Sequence, residues 1–139
     1  MKEVKMRIED KIKEIEDYLG QLLDILPKNF QEYIVNYEKK AACERYFEKI
    51  VEALVDLAFI VIKEKKFKIP EDDIKAFFVL VDENIIEEKL AEGLREAKGM
   101  RNIIVHEYGK INDELVFYAI AEELEKDVVE FLEKIKKLK

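Results

Sequence analysis

The sequence predicts an all-α protein, an antiparallel bundle of about five helices. Three observations carry that prediction. Apolar residues recur at alternating steps of three and four in the first and last segments, as one buried face of an α-helix requires. Among 139 residues there are only four glycines and two prolines, with 41% charged residues, a balance typical of a compact helical chain rather than a disordered or fibrous one. No segment shows strand alternation bounded by hairpin turns, and no repeat of 20 to 50 residues is visible. The length suits a single domain over 1–139 with one hydrophobic core.

The first helix is expected from about Glu3 to Ile25, on a stripe of Ile8, Ile12, Ile15, Leu19 and Leu22. Leu26-Pro27 ends it, because the residue before a proline is pushed out of the α region. From about Asn29 to Lys65 there is no internal proline or glycine, so this stretch is either one long helix or a short helix followed by a long one. Lys68-Ile69-Pro70 breaks the chain. Glu71-Asp72-Asp73 then places carboxylates in the first turn of a short third helix that ends near Glu83 or Asn84. A fourth helix starts around Ile86 and carries Leu90, Leu94 and Ala97 toward Arg101, with Gly99 as a local weakness and Gly109 as a C-terminal stop. Asn112 or Asp113 can cap the fifth, whose Leu124, Val128, Phe131, Ile135 and Leu138 again alternate four and three. Heptad-like stripes on the first and fifth helices most often mean intramolecular core; dimerisation is their less frequent use.

Several chemistries are poorly served. A di-iron carboxylate bundle needs paired Glu-x-x-His motifs, yet the one histidine, His106, has Ile103 three residues before it. One His and one distant Cys do not make a zinc ligand set, and phosphate-cradling glycine loops are absent. No metal and no cofactor is expected. Cys43 lies mid-helix in AACERYF and reads as a small buried hydrophobe, and a lone cysteine gives no internal disulfide. The longest apolar runs, LAFIVI and AFFVLV, fall far short of the roughly 20 residues a membrane-spanning helix needs. The charged N-terminus lacks the apolar core of a signal peptide, so a cytoplasmic location is the default expectation. A net charge of −7 argues against broad nucleic-acid binding, although Lys98, Arg101 and Lys110 against Glu107 leave 3 − 1 = +2 over residues 98–110.

That basic window contains RNIIVHEYGK, residues 101–110. On an ideal helix Asn102 and His106 share a face, whereas Arg101 and His106, five apart, diverge by about 140°. Joint action of Arg101, His106 and Tyr108 therefore requires the helix to loosen near His106, or a groove that receives residues from both sides. The residue types suit metal-free RNA cleavage. A neutral imidazole can take the 2′-hydroxyl proton or return one to the leaving oxygen. A guanidinium can hold a phosphate by two hydrogen bonds and offset charge developing in the transition state, and Asn102 could position either partner. Spacing alone favours a blander role, since a lone histidine near a helix C-terminus is commonly dipole-stabilised or hydrogen-bonded without catalytic duty.

The residues Arg101, NIIV, His106, Glu107 and Tyr108 match the R-x4-H-x-Y signature of the HEPN superfamily, and the chain resembles its HepT-like toxins. The likeness extends to Gly99-Met100 before the arginine and Lys110-Ile111-Asn112 after the tyrosine. It also takes in AACERYFEKIVEALVDLA (41–58), similar to the family's second long helix, with Glu44-Arg45 and an acidic residue at Asp56. Met100 stands where phenylalanine is more usual, and Asn112 where aspartate is; neither touches the proposed chemistry. The resemblance implies a HEPN-like helical fold and a metal-independent ribonuclease toxin, a homodimer with two motif copies facing a shared cleft. Arg101 and His106 would be catalytic, with Asn102 assisting. Tyr108 would be the site at which an MntA-like nucleotidyltransferase antitoxin transfers AMP, placing bulk and negative charge beside the RNA phosphate site. The rival is a noncatalytic helical partner or substrate-binding subunit of a nucleotidyltransferase. A plain interaction bundle is a third reading.

Overall fold

The computed structural model describes residues 2–106 and 111–138, with side chains from Arg7 onward. The described residues form helices and connections, with no strand among them. Helix α1 (Lys2–Ile25) ends at the predicted Leu26-Pro27 and turns its stripe inward: Ile12, Ile15, Leu19 and Leu22 are buried. It lies along α3 (Tyr37–Glu64), the central helix, whose Ile50, Leu57, Ala58, Val61 and Ile62 are fully enclosed.

The 29–65 stretch is the two-helix alternative. Helix α2 (Phe30–Val35) precedes α3, and Asn36 separates them. Asparagine does this by side-chain competition with the backbone. Asn29 Oδ1 accepts from Glu32 N at 2.9 Å to start α2, and Asn36 Oδ1 accepts from Lys39 N at 3.0 Å to start α3. Helix α4 (Asp73–Asp82) begins two residues later than Glu71, with Asp72 as its cap. Helix α5 (Glu88–His106) begins two residues after Ile86, which is buried just before it. Asn112, rather than Asp113, caps α6 (Asp113–Tyr118) by accepting from Leu115 N at 3.1 Å. Two helix ends close without glycine: Lys66 and Asn84 take φ 61°, and the next residue's N–H reaches five residues back. The proposed stop at Gly109 lies outside the described residues.

The last helix is not uniform. Between α6 and α7 (Glu125–Lys136) the chain passes through a π-helical segment, Ala119–Leu124. The apolar residues explain the wider turn. Val116, Ile120, Leu124 and Val128 are spaced four, four and four, and all are buried. At 100° per residue each step of four overshoots by 40°, so three in succession would swing the stripe about 120° off the core. The i→i+5 turn absorbs that drift.

One contiguous core joins all of these elements. The stripes of α1 and α7 are spent inside it, which settles them as intramolecular. Phe77 of α4 and Phe131 of α7 meet edge to face, ring centroids 6.0 Å apart and planes at 85°. Beside α3, the buried Tyr33 of α2 packs on Phe117 of α6 at 5.1 Å. Cys43 is buried as expected, and loss of solvation pushes its thiol up to about 11. No helix among the described residues is long and apolar enough to cross a membrane.

Candidate active site

Helix α5 carries the motif to His106, and α3 packs along it. Three of the four predicted site residues, Arg101, Asn102 and His106, can be placed. Arg101 points back into the bundle, its side chain only 17% exposed, while His106 is exposed at the helix end. Because α5 stays helical through His106, loosening before that residue does not occur, and the two side chains diverge as an ideal helix dictates. Arg101 and Asn102 are brought together: Arg101 Nη1 donates to Asn102 Oδ1 at 3.2 Å. The His106 side chain forms no hydrogen bond or ion pair with the described residues, and Tyr108 lies outside them.

Arg101 has a second partner that the sequence did not reveal. Its Nη2 donates to the carboxylate of Glu52, on α3, 49 residues earlier in the chain. The Nε is buried without a hydrogen-bond partner among the described residues. The acidic residue singled out from the sequence, Asp56, lies one turn further along and turns to α1, where it pairs with Lys11 at 3.6 Å. Glu44 and Arg45 are also occupied elsewhere, with Lys40 and Glu48. Glu52 shares the 41–58 helix with them, but nothing local marks it as the residue that reaches α5.

The local charge is therefore less positive than the count over 98–110 suggests. Lys98 is buried and pairs with Asp73 of α4 at 3.2 Å, and Arg101 pairs with Glu52. Carboxylates from two other helices offset two of the three cations, and the third, Lys110, is outside the described residues. On the far side of residues 107–110 the chain is anchored again. Lys40 bridges Glu44, at 3.0 Å, and Asp113, at 3.1 Å, tying the start of α6 to α3. Burial alone would depress the Lys40 ammonium, but hydrogen bonds and charge from those two carboxylates raise it above its ordinary value. The described chain thus ends α5 at His106, five residues after the Arg101–Glu52 pair, and resumes before α6 at the Lys40 bridge.

No group of three His, Cys, Asp or Glu side chains among the described residues is arranged to hold a metal ion. A cleft of about 760 Å³ between α1 and α3 is lined by Arg7, Lys11, Asp56 and Lys63, away from the motif.

The fold is that of HEPN helical toxins. The structure of a tri-AMPylated HEPN toxin of Shewanella oneidensis in complex with MNT antitoxin matches 94% of this chain and 97% of that one, with a TM-score of 0.87 at 24% identity. The chain belongs to the ribonuclease HepT-like family, whose model matches residues 8–135. The mRNA nuclease HepT of Shewanella oneidensis is 30% identical over 89 residues, 64% of this chain and 66% of that protein. The tRNA nuclease HepT of Aphanizomenon flos-aquae is 28% identical over 109 residues, 76% of this chain and 74% of its own length. The chain spans just under two thirds of the Shewanella relative that it matches.

Proposed function

We propose that this chain is a metal-independent endoribonuclease, the toxin of a type VII-like toxin–antitoxin pair acting in the cytoplasm. The observation that carries the reading is the environment of Arg101: an arginine of the HepT-like motif, largely buried, oriented from two sides, and five residues before an exposed histidine. In the reaction His106 takes the proton from an RNA 2′-hydroxyl. The freed oxygen attacks the adjacent phosphorus, and the 5′-oxygen leaves with a proton returned by an imidazolium. Arg101 offsets the negative charge that grows on the phosphoryl oxygens, and Asn102 steadies it.

Because Arg101 and His106 diverge on one helix, the working site is a cleft between two copies of the chain. Exposed apolar side chains at the end of the same helix, Ile103 on the side of His106 and Val105 on the side of Arg101, support a homodimer that covers the end of α5. The partner is an MntA-like nucleotidyltransferase antitoxin, which silences the toxin by AMP transfer to Tyr108. Expression of the chain alone in a bacterium tests the activity: growth should arrest with RNA fragmentation, and purified protein should cut RNA in the presence of a chelator. Unimpaired growth with a well-folded product and intact RNA would remove the nuclease reading.

The second reading, a noncatalytic helical partner of a nucleotidyltransferase, draws support from the Arg101–Glu52 pair, since an arginine already neutralised needs no phosphate. The same expression test separates the two. Modification has its own readout. After co-expression with the partner, intact mass should show adenylyl additions that vanish in Tyr108→Phe, and additions persisting in that variant would reassign the modified residue.

A further inference from the structure

We infer that Glu52 is a positioning residue for the motif arginine: its carboxylate anchors one end of the Arg101 guanidinium so that the remaining N–H groups face the RNA phosphate. The role rests on the nuclease reading above, but the anchoring itself can be observed without it. Four observations lead here. Arg101 contributes five N–H groups. One on Nη2 goes to Glu52, one on Nη1 goes to Asn102, and that of Nε is buried, which leaves one on each terminal nitrogen. Among the ion pairs of the described residues, Glu52 joins only Arg101, whereas its neighbours Glu48 and Asp56 are committed to Arg45 and Lys11. Glu52 also stands on the most deeply buried helix of the bundle, between Val51 and Ala53, so its backbone cannot drift. Finally, its side chain is 46% exposed against 17% for Arg101, so water reaches the carboxylate and it can be replaced without opening the core.

A guanidinium held at one end by a rigid element is oriented before substrate arrives. Without the anchor, Arg101 has only Asn102, its chain neighbour, to restrain it, and a long side chain samples several rotamers. Loss of the anchor should therefore lower turnover more than binding. Binding of the phosphate would hold steady or improve, because a competing anion has gone. An amide in place of the carboxylate still accepts the Nη2 hydrogen bond, so shape rather than charge is the requirement.

The test compares Glu52→Ala and Glu52→Gln with wild type. Glu52→Ala should lower kcat by about 10- to 100-fold with KM within about 2-fold, while Glu52→Gln restores most of kcat. Because the Glu52 side chain is 46% exposed and Arg101 keeps its bond to Asn102, the melting temperature should stay within about 3 °C of wild type in both. Three results overturn the inference: an unchanged kcat in Glu52→Ala, an equal fall in both variants, or a fall that tracks loss of folded protein. A direct probe is nitrogen-15 NMR of the guanidinium groups of Arg7, Arg45, Arg95 and Arg101, with Arg101 assigned by its loss in Arg101→Lys. Wild type and Glu52→Gln should show separate, slowly exchanging Nη signals for Arg101, and Glu52→Ala a single averaged one. If wild type cleaves no RNA, the nuclease reading fails while the NMR still decides the anchor; an Arg101 spectrum unchanged in Glu52→Ala refutes it.

Discussion

Alanine at His106 is expected to lower RNA cleavage by roughly 10²- to 10⁴-fold, the usual contribution of a positioned general acid or base. The fold should be indifferent to the change, because the His106 side chain is exposed and forms no polar contact with the described residues. Circular dichroism and melting should match wild type while RNA fragmentation and growth arrest disappear. Arg101→Ala should be as damaging to cleavage, with a small stability cost: it frees Glu52, which is exposed enough for water to solvate. Arg101→Lys should not rescue it, because a point charge cannot reproduce a planar donor held at two ends. Mixing the two inactive variants examines the shared cleft. If each site takes arginine from one chain and histidine from the other, half of a 1:1 mixture is mixed dimer with one intact site in two, so activity should recover to about a quarter of wild type. Full activity in His106→Ala would sink the catalytic assignment.

The second large effect is on stability. Phe131→Ala should cost about 3–5 kcal/mol, because it empties a fully buried aromatic site and removes the edge-to-face contact with Phe77 that joins α7 to α4. Urea unfolding at constant slope gives the measurement. Phe131→Leu should recover most of the loss. A cost below about 1 kcal/mol for the alanine variant would show that α7 does not pack on α4 in this register.

Much of the bundle was readable because the signals are local. Apolar spacing marked α1 and α7, Pro27 marked the end of α1, and Asn112 was one of two candidate caps for α6, whereas Asn29, Asn36 and Asp72 were not read as the caps of α2, α3 and α4. The π-helical segment was missed although its signal is present, as three successive steps of four from Val116 to Val128. The alternating stripe that begins at Leu124 masks it. The motif was legible as R-x4-H-x-Y, and the family follows from it, but the surroundings of its arginine were not.

By itself the sequence determined that the chain is helical, where most helices begin and end, and which ten residues carry the motif. These are properties of residues within a turn or two of each other, set by periodicity and by side-chain competition for backbone groups. Tertiary structure alone decided that Glu52 and not Asp56 meets Arg101, that Asp73 takes Lys98, and that Lys40 binds the start of α6. A helix with acidic residues at neighbouring positions offers several equivalent partners. Which one is used depends on the rotation and offset at which two helices pack, and that is set by the apolar core between them.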